Sequence, residues 1–162
     1  MGADEQDAGI KLSILDRLTD SDPDCTREAQ VSSWEEMRQF KSSLCRDLAA
    51  LLNTRRAQED FDPIYEQATA SLLTFGITDF TSYNLKNDVE QELVRRSIER
   101  SIRQFESRLT RVTVIMEEFD PLRSVLRFQV KASLRSERSE AVLFDVSLHR
   151  ESRRIAITGA NS

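Results

Sequence analysis

Glu106 and Arg108 stand two residues apart where a helical hydrophobic period gives way to an alternating one, and they are the pair best placed to do chemistry. A carboxylate at a helix C-terminus faces the negative end of the backbone dipole, so a cation such as Arg108 is needed beside it. If the pair is partly buried, deleting one partner strands a charge away from water, at a cost on the order of 3–5 kcal/mol. The chemistry of such a pair is bracing and binding. Glycoside hydrolysis asks for the reverse, two carboxylates of which one stays protonated, whereas a neighbouring cation favours the ionised form. Glu117, Glu118 and Asp120 cluster just ahead of Pro121, and a like-charged turn of this kind is expected to be solvated surface.

Other reactive groups are sparse. His149 is the one histidine, and Cys25 and Cys45 are the two cysteines, one in an acidic tail and one on a predicted helix. That is neither a disulfide framework nor a zinc ligand set, so two reduced thiols, no metal and no cofactor are expected. No glycine-rich phosphate loop, nucleophile elbow or cysteine–histidine arrangement occurs. Arg95, Arg96, Arg100 and Arg103 crowd one helix face, but Glu92–Arg96 and Glu99–Arg103 are i,i+4 pairs in the favourable order, which predicts a self-compensated surface rather than a nucleic-acid footprint.

The net charge of −5 belongs wholly to residues 1–30, which hold eight acids against three bases; the remaining 132 residues are electrically balanced. With 162 residues and 39% hydrophobic content, one domain over 31–162 and a flexible acidic tail over 1–30 are expected. Within the tail, Ile10, Leu12, Ile14, Leu15 and Leu18 form an apolar island that can bury its surface against its own domain or against a partner. The N-terminus lacks the pattern of a signal peptide, and no stretch approaches the roughly 18 apolar residues of a membrane span, which predicts a soluble, cytoplasmic protein.

The elements that must position the pair are legible from periodicity. A helix is expected over about 33–53, capped by Ser33 with Glu36, with Trp34, Met37, Phe40, Leu44, Leu48, Leu51 and Leu52 at helical spacing and Lys41 interrupting. A second helix, about 64–75, should start at Pro63 and end at Gly76, with Ala68, Leu72, Leu73 and Phe75 as its apolar face. A third, about 88–105, capped by Asn87 or Asp88, should bury Val89, Leu93, Val94, Ile98, Ile102 and Phe105. From Arg108 the period is two, which predicts strands at about 109–116, 125–134, 142–149 and 154–158. Helices followed by a small antiparallel β-meander make an α+β fold.

Three segments together resemble a known family. Ser13-Ile-Leu-Asp-Arg-Leu18, Arg46-Asp-Leu-Ala-Ala-Leu-Leu-Asn-Thr-Arg55 and Ser71-Leu-Leu-Thr-Phe-Gly-Ile-Thr-Asp79 are similar, in order and spacing, to the small baseplate wedge family of type VI secretion systems, TssE, which is related to a wedge protein of contractile phage tails. The family motif is Glu-Pro-Arg at the junction of the last long helix and first strand, and here that junction reads Glu106-Ser107-Arg108. Proline would force the turn through its fixed φ, whereas serine permits it.

The resemblance implies a handshake-like domain and a non-catalytic structural subunit that nucleates the contractile sheath. Its partners would be the larger wedge subunits TssF and TssG and the sheath subunits, in a sixfold baseplate at the cytoplasmic side of the inner membrane. Glu106 and Arg108 would be the motif and sheath contact, and Ile10, Ile14, Leu15, Arg17 and Leu18 the wedge-docking segment. Sheath recruitment would proceed by strand augmentation at an open edge, Leu109–Met116 or Ile155–Thr158, with the choice left open. Since the family carries a lysozyme-like label, a peptidoglycan hydrolase is the rival reading, and a soluble adaptor outside any machine is the third.

Overall fold

The computed structural model describes residues 13–18, 32–56, 62, 64–80, 82–117, 122, 124–135, 140–149, 152 and 154–161. Ile10, Leu12, Cys25, Pro63, Glu118, Asp120 and Pro121 lie outside the described residues, as does the side chain of Arg17.

A short helix α1 (Ile14–Leu18) precedes the long helix α2 (Ser33–Asn53). The capping box of α2 sits one residue earlier than expected: the Ser32 hydroxyl accepts from Glu35 N–H, and the Glu35 carboxylate accepts from Ser32 N–H at 3.1 Å. Tandem serines and tandem glutamates offer two registers, and the earlier one adds a residue to the helix while keeping Glu35 and Glu36 both at its positive end. Phe40, Leu44, Leu48, Leu51 and Leu52 are buried, as the stripe predicts, and Met37 packs against them, but Trp34 at its start, expected in the core, is exposed with Arg38 over its ring.

The expected helix over 64–75 is not continuous. α3 spans only Glu66–Thr69 and is followed by a 3-10 turn at Leu72–Thr74. Ser71 makes the break, since its hydroxyl donates to Ala68 C=O at 2.7 Å and accepts from Leu73 N–H, a local alternative to the next helical bond. Leu72 and Leu73 consequently point to solvent, while Phe75 packs edge-on against Phe105 with ring centroids 5.1 Å apart. Gly76 does take positive φ (+102°), but a stricter demand comes from the neighbouring segment: a Cβ there would collide with the Thr54 carbonyl. The two segments meet that closely because Arg55 and Ile77 form an isolated parallel bridge, with Ile77 N–H to Thr54 C=O and Arg56 N–H to Ile77 C=O both at 2.9 Å.

Helix α4 (Asp88–Phe105) begins at Asn87, whose side chain accepts from Val89 N–H. Val94, Ile98, Ser101 and Ile102 are its buried face, with Phe105 against the core; Val89 and Leu93, expected there, are exposed. At about 100° per residue the stripe set by Val94, Ile98 and Ile102 leaves both on the opposite side of the helix.

Strands β1 (Leu109–Met116), β2 (Val125–Leu134), β3 (Ala141–His149) and β4 (Arg154–Asn161) form one antiparallel sheet in sequence order, so β1 and β4 are its edges. The last strand runs three residues past its expected end, through a register shift opposite Phe144 and Asp145 where Gly159 adopts positive φ. A second irregularity lies in β1 at Arg111, also at positive φ. The inward residues Phe128, Val130, Ala132 and Leu134 of β2 and Val142, Phe144, Val146 and Leu148 of β3 are all buried, and α2 and α4 cover this face, α2 over β4 and α4 over β1. The architecture is α+β, helices followed by a meander. No helix among the described residues is long and apolar enough to cross a membrane.

Candidate functional site at the helix–sheet junction

Where α4 ends, Glu106 is the C-cap residue, its N–H still bonded to Ile102 C=O, and the strand begins three residues later. Its carboxylate takes the Arg108 guanidinium as a fork, Nε to Oε1 at 2.7 Å and NH2 to Oε2 at 2.6 Å, and also accepts the Arg108 backbone N–H at 3.1 Å. Glu106 is only 7% exposed, so this is a buried ion pair with its geometry satisfied. The Glu106 carbonyl accepts Leu109 N–H at 3.2 Å. Hydrogen bonds from residues 108 and 109 therefore hold the turn that Ser107 by itself leaves free.

The pair is not isolated. Arg108 NH2 also donates to Asp47 of α2 at 2.8 Å, NH1 reaches the buried hydroxyl of Ser43 at 3.5 Å, and the guanidinium lies 5.7 Å from the centre of the Phe40 ring. The hydrogen bond to Glu106, aided by both carboxylate charges, pushes the Arg108 pKa up in spite of burial. Sequence reasoning did not single out Asp47 or Ser43. The available signal was their spacing: Phe40, Ser43 and Asp47 lie three and four residues apart on the face that carries Leu44 and Leu48.

The same stretch of α2 holds α1. Asp16 accepts from Ser13 Oγ at 2.8 Å, from Ser43 Oγ, and from Arg46 NH2 at 2.6 Å, and Arg46 also lies 3.2 Å from Asp47. Partial burial by itself would raise the Asp16 pKa, but the hydrogen bonds from Ser43, Ser13 and Arg46 and the Arg46 charge outweigh it and hold the carboxyl well below the usual range. With its polar face tied down, α1 turns its apolar side outward: Ile14 and Leu18 are 75% and 79% exposed and Leu15 is also exposed. The structure thus brings Asp16 to the site alongside Glu106 and Arg108, and leaves Ile14, Leu15 and Leu18 at the surface.

The two sheet edges differ. On β1, Arg103 of α4 donates to Val112 C=O at 2.7 and 3.2 Å and Glu99 accepts Val114 N–H at 3.3 Å, so side chains already occupy backbone groups there. On β4, Asn53 pairs with one residue in the manner of a strand, accepting Ile155 N–H and donating to Ile155 C=O, both at 2.9 Å. Two residues on, the backbone groups of Ile157 face the same way by the period of the strand. They open on a groove of about 640 Å³ between β4 and the N-terminal half of α2, lined by Trp34, Met37, Arg38, Cys45 and Gly159 among others.

The model of the family described as baseplate wedge protein gp25 matches residues 38–139, a span that takes in most of α2, all of α4, the Glu106–Arg108 junction and the first two strands. No curated protein matches the chain. The match covers well over half the sequence, and the chain belongs to the gp25 family of baseplate wedge proteins, structural subunits of a baseplate assembled with other baseplate subunits.

Proposed function

We propose that this chain is the TssE-type wedge subunit of a type VI secretion baseplate, that it starts the contractile sheath by adding a sheath strand to the outer edge of β4, and that it docks on TssF and TssG through α1. The observation that carries this reading is the difference between the edges: β1 is braced by α4, whereas among the described residues the outer edge of β4 is closed by Asn53 at Ile155 and farther along borders a groove against α2. Glu106 and Arg108 fix the angle at which α4 enters the sheet, and so the position of the edges relative to the helices. Ile14, Leu15 and Leu18 offer an apolar face that is already ordered before a partner arrives.

This role involves no catalysis. Two carboxylates, Glu106 and Asp47, do converge, but one guanidinium engages both, so they serve as acceptors that hold Arg108 rather than as a pair open to a substrate. The subunit would sit at the cytoplasmic side of the inner membrane as part of the baseplate. Replacing Ile157 by proline removes its outward N–H while the β3 ladder bonds of Ala156 and Thr158 stay in place. Sheath assembly in cells should fail in Ile157→Pro and persist in Ile157→Val; assembly unaffected by proline would refute the choice of edge. Purified protein should leave peptidoglycan intact, and clearing lost in Glu106→Gln would establish the hydrolase instead.

A further inference from the structure

The neighbours Arg46 and Asp47 stand between α1 and the helix–sheet junction, and each is claimed from both sides. Arg46 NH2 lies 2.6 Å from Asp16 and 3.2 Å from Asp47, while Asp47 lies 2.8 Å from Arg108, which in turn holds Glu106 at 2.6 Å. Five charges of alternating sign therefore run from the junction to α1: Glu106, Arg108, Asp47, Arg46, Asp16. Ser43, 5% exposed, lies alongside the series, donating to Asp16 and lying within 3.5 Å of Arg108. In such a chain the links compete. An acceptor released by one neighbour turns to the other, so contacts one link apart oppose each other and contacts two links apart support each other.

We infer that Arg46 and Asp47 act as a charge switch that makes the hold on α1 depend on how fully Arg108 engages Asp47, so that capture of α1 by a partner firms the helix–sheet junction. The inference rests on the reading of α1 as the wedge-docking helix. A partner that fixes α1 in place keeps Arg46 on Asp16 and leaves Asp47 to Arg108, which ties the helix–sheet junction more firmly to α2; linkage makes the effect reciprocal. Docking on the platform would thus precede and favour the geometry that receives the sheath.

The switch has a signed signature. In Arg108→Gln, Asp47 is released to Arg46, Arg46 is drawn off Asp16, and α1 loosens. In Asp47→Ala, Arg46 has Asp16 to itself and α1 is held more firmly, although a favourable group has been deleted. Hydrogen exchange of residues 14–18 in the full-length protein reads this directly, without a partner: exchange about three- to tenfold faster in Arg108→Gln and slower by a similar factor in Asp47→Ala. If Arg108→Gln does not fold, Asp47→Ala decides alone. Wild-type exchange in Asp47→Ala, or faster exchange, would overturn the switch. Capture by purified TssF and TssG should follow the same order, tighter in Asp47→Ala. The double change Ile14→Ser with Leu18→Ser separates the two claims: unimpaired capture would defeat α1 as the docking helix, while the exchange result judges the switch on its own.

Discussion

Two arginine–carboxylate clusters in this protein have nearly identical contacts and opposite consequences. On the outer face of α4, Glu92 holds Arg95 and Arg96 at 2.6 Å and Glu99 holds Arg95 and Arg103 at 2.7 and 2.6 Å. At the junction, Glu106 and Asp47 hold Arg108 at 2.6 and 2.8 Å. At its Glu92 end the first cluster is open to water, and the hydrogen bonds from Arg95 and Arg96 bring Glu92 down to about 2 while adding little that solvent would not supply. The second is wedged between α2, α4 and β1, where water cannot replace a lost partner. Distance between charges says little about their worth; what replaces them when they are gone says more.

The comparison can be broken at its strongest point first. Arg108→Ala should lower unfolding stability by about 3–5 kcal/mol, because Glu106 is left buried without its cation while Asp47 keeps only Arg46; thermal or urea unfolding measures it. Adding Glu106→Gln to that variant should recover part of the loss, since the stranded charge is removed, and strictly additive losses would mean that the pair is not one unit.

A middle-sized effect concerns the Asp16 contact. Its carboxyl is held low in the folded protein, so its contribution is complete above the unfolded value, near pH 4, and fades as the pH falls below it. Hydrogen exchange of α1 should therefore be insensitive to pH between about 5 and 7, once corrected for intrinsic rates, and lose protection below about 4. Asp16→Asn should remove that acid transition. The smallest effect is expected on α4: Glu92→Gln should leave the unfolding midpoint unchanged within error, and 0.5 M salt should not alter that outcome, whereas a clear loss would erase the distinction between the clusters.

Much of this was legible in the amino-acid order. The 3.6-residue stripe of Phe40, Leu44, Leu48 and Leu51 produced α2, the alternation in Phe128, Val130, Ala132 and Leu134 produced β2, and the change of period at Arg108 marked the junction, because each pattern reports a hydrogen-bonding repeat that is local in the chain. The reading failed at 64–75 and at the start of α4. Ser71 redirects a backbone bond that hydrophobicity does not register, and Val89 and Leu93 are apolar without facing the core.

Amino-acid order alone was enough for the α+β succession of elements and for the pairing of Glu106 with Arg108, partners two positions apart that a single turn brings together. The rest of the site came from long-range packing. Asp47 meets Arg108 across 61 positions, Asp16 meets Arg46 across 30, and Asn53 closes the start of β4 across 102. Such contacts depend on where packed helices come to rest on the sheet, and no local period encodes that placement.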